Sequence, residues 1–181
     1  MAVRFREGEG MPRMRVYYAD WQMECCGTPF AVGDEIAWRL LPAAQEDDCY
    51  GATARVEHHG GPDRETVGRV RAIELVRQLY VVHTDPRVRE RLDRALEPDQ
   101  ESEGLVLLPS PYTWEPVPGA HTLDPVAACP RWFEQEEPGR DPGPQRIRRT
   151  TGALVTLDVT GTGPLPPKAS GAAPDEPGDW R

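Results

Sequence analysis

Cys25 and Cys26 stand side by side in the run Trp21-Gln22-Met23-Glu24-Cys25-Cys26-Gly27, and His58 and His59 stand side by side further along the chain. Thiolate and imidazole are the soft ligands that Zn²⁺ and Cu(I) select, so these are the first residues to weigh as a metal site. Cysteine ligands are usually spaced two to four residues apart, so that one tight turn aims both at one ion. Adjacent cysteines in extended chain point to opposite sides. Cys26, with Gly27 behind it to permit a turn, is therefore the better ligand and Cys25 the second. His58 should share the inner face of its strand with Val56, within reach of Cys26. His59, Cys49 and the thioether of Met23 are further candidates. No Cys-x-x-Cys or His-x₃-His pair occurs anywhere in the chain.

Two other readings use the same residues. A cysteine nucleophile needs its pKa lowered by an imidazole or a helix N-terminus. His58 could serve Cys26 as a base, but no helix start is expected behind the cysteines and no Asn or Asp is placed to orient the ring. The alternative is packing, since free cysteine is among the most buried residue types. The loop would then fold over one end of a barrel, with Met23 and one thiol as its plug and His58 bonded to a carbonyl at the core edge. A binding surface on this loop would be built from Trp21, Met23 and Phe30, with Trp38 beneath.

The elements that must position these groups are mostly strands. Arg15 to Trp21 is rich in β-formers. Glu35 to Leu41 alternates, with Ile36, Trp38 and Leu40 on one face, and Val32-Gly33-Asp34 supplies the turn into it. Ala52 to His59 alternates likewise. Thr66 to Val76 starts with Gly68 and Val70 inward, then slips phase at Ala72-Ile73, which predicts a bulge. Gln78 to Val82 reads as a further short strand, and Val155, Leu157 and Val159 mark a last one. One helix is predicted over residues 86–97, capped by Thr84 or Asp85, with Pro86 in its first turn and Val88, Leu92, Ala95 and Leu96 as its apolar stripe. Five to six strands with one short helix predict a mainly β fold, a small SH3-like or related β-barrel, with a β-sandwich as the competing architecture. Strand–helix alternation is missing, which argues against two-layer α/β.

Composition sets the bounds. Of 181 residues, 20 are proline and 17 glycine, and the net charge is −9. Half of the prolines and most of the acidity fall in residues 97–144, an expected irregular excursion within a single β-rich domain over 14–160. Residues 1–13 read as a flexible N-terminus and 161–181 as a disordered tail. An acidic chain repels phosphate backbones, so nucleic acid is not an expected partner. No segment approaches the roughly 20 apolar residues of a membrane helix, and the first residues hold no apolar run of the kind a secretion signal needs. The expected address is therefore the cytoplasm, where the four cysteines would be thiols or metal ligands.

The string Trp21-Gln22-Met23-Glu24-Cys25-Cys26-Gly27-Thr28-Pro29-Phe30, followed by Val32-Gly33-Asp34-Glu35-Ile36-Ala37-Trp38 and later by Glu57-His58-His59-Gly60, resembles an uncharacterised bacterial family of small proteins, a domain of unknown function. The resemblance covers roughly residues 14–84 and brings no activity with it. The expectation that follows is a non-enzymatic binding or interaction module for a protein or small-molecule partner. The alternative is a metal-binding protein (zinc or copper), or a thiol-dependent enzyme or sensor, built on Cys26 and His58.

Overall fold

The computed structural model describes residues 12–43, 49–61, 63–95, 109–141 and 143–162. In chain order the elements are β1 (Arg13–Ala19), α1 (Asp20–Cys26), β2 (Phe30–Ala31), β3 (Glu35–Trp38), β4 (Leu40–Pro42), β5 (Ala54–Val56), β6 (Thr66–Thr84), α2 (Pro86–Ala95), β7 (Tyr112–Val126), β8 (Ala128–Cys129) and β9 (Gln145–Thr162). Most of the strands form one sheet in the order β3-β6-β9-β1-β5-β4, with β7 also paired to β6, and β2-β8 make a separate ribbon. β3 and β4 end opposite sides of that path, yet only Arg39 separates them in sequence. The sheet must therefore curl until its ends meet, which gives a nearly closed, mainly β barrel. Glu57 N–H donates to the Arg39 carbonyl at that junction.

The alternation read over Glu35–Trp38 and Ala54–Val56 is the alternation of burial: Ile36 and Trp38, and Ala54 and Val56, point into the core. Val16 and Tyr18 of β1 join them there. Tyr18, Phe30 and Trp38 pack as an aromatic group there, with Trp38 edge-on to both others at 5.1 and 5.0 Å between ring centres. The expected phase slip is present as a register shift between Val70 and Ala72 where β6 pairs with β9. Gln78 to Val82 is not a separate strand, because β6 runs unbroken to Thr84.

Glycine is required where β9 crosses β1. Gly152 has φ +149°, and a Cβ there would collide with the Tyr18 carbonyl oxygen. Asp158, buried on β9, accepts from Arg13 Nε at 3.2 Å and from Arg71 Nε. The predicted helix begins as expected, with Asp85 Oδ1 accepting from the backbone N–H of Arg87 and Val88.

Two segments depart from expectation. The excursion over 97–144 contains β7, a 15-residue strand. Among the described residues β7 pairs only with β6, and an edge strand tolerates its prolines, Pro116, Pro118 and Pro125, which have no N–H to give to a ladder. Second, the chain around the paired cysteines is not extended: Asp20 to Cys26 is a helix, α1. The expected flexible N-terminus over 1–11, the end of the predicted helix with the start of the excursion over 96–108, and the expected tail over 163–181 lie outside the described residues.

Candidate functional site

α1 places the thiols. Gln22 and Met23 are its buried residues, facing the barrel end, so Cys25 and Cys26 fall in its last turn on the solvent side. The helix stops at Gly27, whose N–H donates to the Met23 carbonyl at 2.9 Å. A Cβ on Gly27 would come within 2.7 Å of Met23 Cα, so the chain can leave the helix this tightly only at a glycine. The plug is therefore Met23 alone. Both thiols are exposed, which corrects the expectation that Cys26 faces inward: parity between neighbours belongs to extended chain, and a helical step of 100° puts both on one rim.

Gln22 places the histidine. Its side-chain Nε2 donates to the Val56 carbonyl at 2.9 Å, and its Oε1 accepts from the His58 backbone N–H at 2.9 Å. The buried amide thus stands in for a strand partner where β5 ends, and pins the following turn over α1. There His59 Nε2 lies 3.7 Å from Cys25 Sγ and 3.5 Å from Cys26 Sγ, with the two sulfurs 2.9 Å apart. Among the described residues, these three form the one set of three potential metal ligands, their ligating atoms all within 4.8 Å of one another. The turn is further held by Glu57, whose Oε1 accepts from the His59 backbone N–H and lies 4.0 Å from Nδ1. Trp21 stacks on the His59 ring. Arg131 closes the other side, donating from Nε and a terminal guanidinium nitrogen to the carbonyls of Glu24 and Cys25 at the helix end.

The electrostatics favour the protonated form of the Cys26 thiol over its thiolate. The hydrogen bond to Cys25 is the main reason that the Cys26 thiol sits above its ordinary pKa, and the Arg131 charge works weakly against it. This is the opposite of what an activated nucleophile needs.

His58 has a different role from the one its sequence position suggests. Its Nε2 shares a 2.5 Å hydrogen bond with the Tyr18 hydroxyl. Burial, and then the neighbouring His59, lower the His58 pKa, while burial pushes the Tyr18 phenol far up. The phenol therefore donates to a neutral ring, and the ring nitrogen that could have reached the thiols is spent on the core. Of the loop residues expected to form a binding surface, Met23, Phe30 and Trp38 are core residues and only Trp21, 55 % exposed, faces solvent. Cys49 and Cys129 are buried, and burial pushes the Cys129 thiol up to about 12.

A family model described as a family of unknown function, DUF6578, matches residues 12–159. The chain belongs to DUF6578. The match reaches well beyond residue 84 and takes in every residue of the cluster, from Trp21 through His59 to Arg131, together with β1 through most of β9. No curated protein and no solved structure matches the chain. Gln22, Glu57 and Arg131 are DUF6578 residues whose part in this site the sequence did not signal. Gln22 lay within the quoted string, but a glutamine there carries no mark of the backbone that it will meet.

Proposed function

We propose that this chain is a non-enzymatic β-barrel binding module whose ligand is a thiophilic metal ion, Zn²⁺ or Cu(I), held by Cys25, Cys26 and His59. The observation that carries this reading is the size of the ligand triangle. With Zn–S of about 2.3 Å and Zn–N of about 2.0–2.1 Å, a tetrahedral ion separates its sulfur and nitrogen ligands by about 3.6 Å. The two sulfur-to-nitrogen distances here are 3.7 and 3.5 Å. Only the sulfurs, 2.9 Å apart, must open, to about 3.8 Å, and they sit in the last turn of a helix, where small rotamer changes suffice. Three protein ligands at an exposed rim leave a fourth position to water or to a partner's side chain.

The Glu57 carboxylate, 4.0 Å beyond Nδ1, stands where a small shift would let it accept from that nitrogen, as neighbours of metal-bound histidines commonly do, and the Trp21 ring lies against the imidazole. Sensing or delivery of metal fits an exposed, three-coordinate site better than a closed structural one. Titration of untagged protein against a chromogenic chelator, with Zn²⁺ and separately with Cu(I), tests the reading. One equivalent should bind, Cys25→Ser, Cys26→Ser and His59→Ala should each lose it, and His58→Ala should retain it. Stoichiometric binding that survives His59→Ala, or no binding of either metal, overturns it.

A further inference from the structure

A second feature shares Trp21 with the metal-ligand cluster but lies on its other side. A cavity of about 460 Å³ opens there between β1, β6, β7 and β9. Its walls are aromatic. Tyr17 and Tyr50 pair at 5.3 Å between ring centres, Tyr80 and Trp114 pair edge-to-face at 5.8 Å, and Trp21 forms the rim. Much of the hydrogen-bonding capacity of the floor is used internally. Tyr17 donates to the Thr151 carbonyl, and the Thr151 hydroxyl bonds the Tyr50 hydroxyl and the Val76 carbonyl. Ring faces are therefore the main binding surface. Two charged groups border it. The Asp20 carboxylate uses Oδ1 to accept from the Trp21 N–H, and the Arg149 guanidinium lies over the Trp114 ring at 4.9 Å. Burial holds the Asp20 carboxyl above its ordinary pKa, and the nearby Arg149 charge partly offsets this.

We infer that this cavity is a binding site for a planar nitrogen heterocycle of the nucleobase class, packed against its aromatic lining, with ring N–H groups donating to Asp20. A simple organic cation is a poorer fit, because the Arg149 guanidinium beside the Trp114 ring carries the same charge. Base–aromatic stacking is worth about 1–3 kcal/mol per base and tolerates any base. Discrimination falls to the carboxylate, and a carboxylate best meets two adjacent N–H donors, which among the common bases guanine presents at N1 and N2. Arg149 lies where it can pair with an anionic substituent such as a single phosphate. The chain's net charge of −9 opposes a long phosphate backbone, so the fitting ligand is a free nucleoside or mononucleotide.

The experiment is calorimetric and fluorescence titration of the full chain with guanosine, inosine, adenosine and choline, since two of the five tryptophans, Trp21 and Trp114, border the cavity. Guanosine should bind saturably and quench the emission, inosine and adenosine more weakly, and choline not at all. Asp20→Asn should weaken guanosine by about tenfold while leaving adenosine unchanged. Trp114→Ala, on the edge strand and away from the core, should weaken both nucleosides by about tenfold, with the melting temperature checked in parallel. The inference is overturned if no nucleoside binds saturably below millimolar concentration. It is equally overturned if choline outcompetes guanosine, or if a folded Trp114→Ala protein binds guanosine as the parent does.

Discussion

The indole of Trp21 lies stacked on the imidazole of His59, with ring centres 5.6 Å apart and planes tilted by 20°. Trp21 is the first residue of α1 after Asp20 and is more than half exposed, so this contact does little for the core. What it does is hold the imidazole with Nε2 toward both thiols. Removing the indole with Trp21→Ala should therefore weaken Zn²⁺ affinity by about tenfold, as loss of an orienting neighbour does at other histidine sites. Stability should change little. Unchanged affinity in a chelator competition would show that His59 needs no such support.

Thiol accessibility gives a second test. Cys25 and Cys26 are exposed, whereas Cys49 and Cys129 are buried. A folded, reduced protein should react rapidly with two equivalents of an aromatic disulfide reagent and take up two more only on unfolding. Added Zn²⁺ should protect the fast pair. Rapid labelling of one thiol alone would contradict the helical placement of the pair.

Gln22 should be worth more to stability than its polarity suggests. It is 3 % exposed and bonds both the Val56 carbonyl and the His58 N–H. Gln22→Ala leaves two backbone groups at the barrel end without their partner, at a cost of about 1–3 kcal/mol for each one that water does not reach. Urea denaturation measures this. The same variant should also lose metal affinity, because the turn carrying His59 is released. Stability equal to the parent would rule out the clamp.

Acid should act on the two sites differently. At the cluster, the Cys26 thiol is held above its ordinary pKa, so an incoming ion must displace a proton from it, and affinity should rise steadily from about pH 6 to 8. A flat profile would exclude thiolate ligation. In the barrel, the bond from Arg71 and then the pairing with Arg13 hold the Asp158 carboxyl below its ordinary value. The unfolded carboxyl protonates first as pH falls. Its contribution is therefore present above about pH 4 and is lost as the folded pKa is approached. Asp158→Asn should lower stability at neutral pH and flatten this acid limb, read as melting temperature against pH. An unchanged acid limb would assign it to other groups.

Short-range pattern alone determined much of the barrel. Period-two alternation marked Ile36, Trp38, Val56 and Val70 as interior, and Asp85 with Pro86 marked the start of α2, because burial on one sheet face and helix capping are both decided within a few residues. The strand β7 was hidden by its prolines, which are acceptable only because β7 ends up on an edge, and position within a sheet is a property of the whole fold. The cluster was hidden for a related reason. Alternation was carried past Val56, where β5 ends, and so put His58 ahead of His59 as the partner of the thiols. It was also carried into Asp20–Cys26, which is too short to show a helical period and is a helix because Gln22 and Met23 find partners at the barrel end. The residue types that could bind a metal were legible in the chain. Which imidazole meets them was decided by one buried amide bridging α1 and the end of β5, a contact between residues 34 and 36 positions apart that no local pattern encodes.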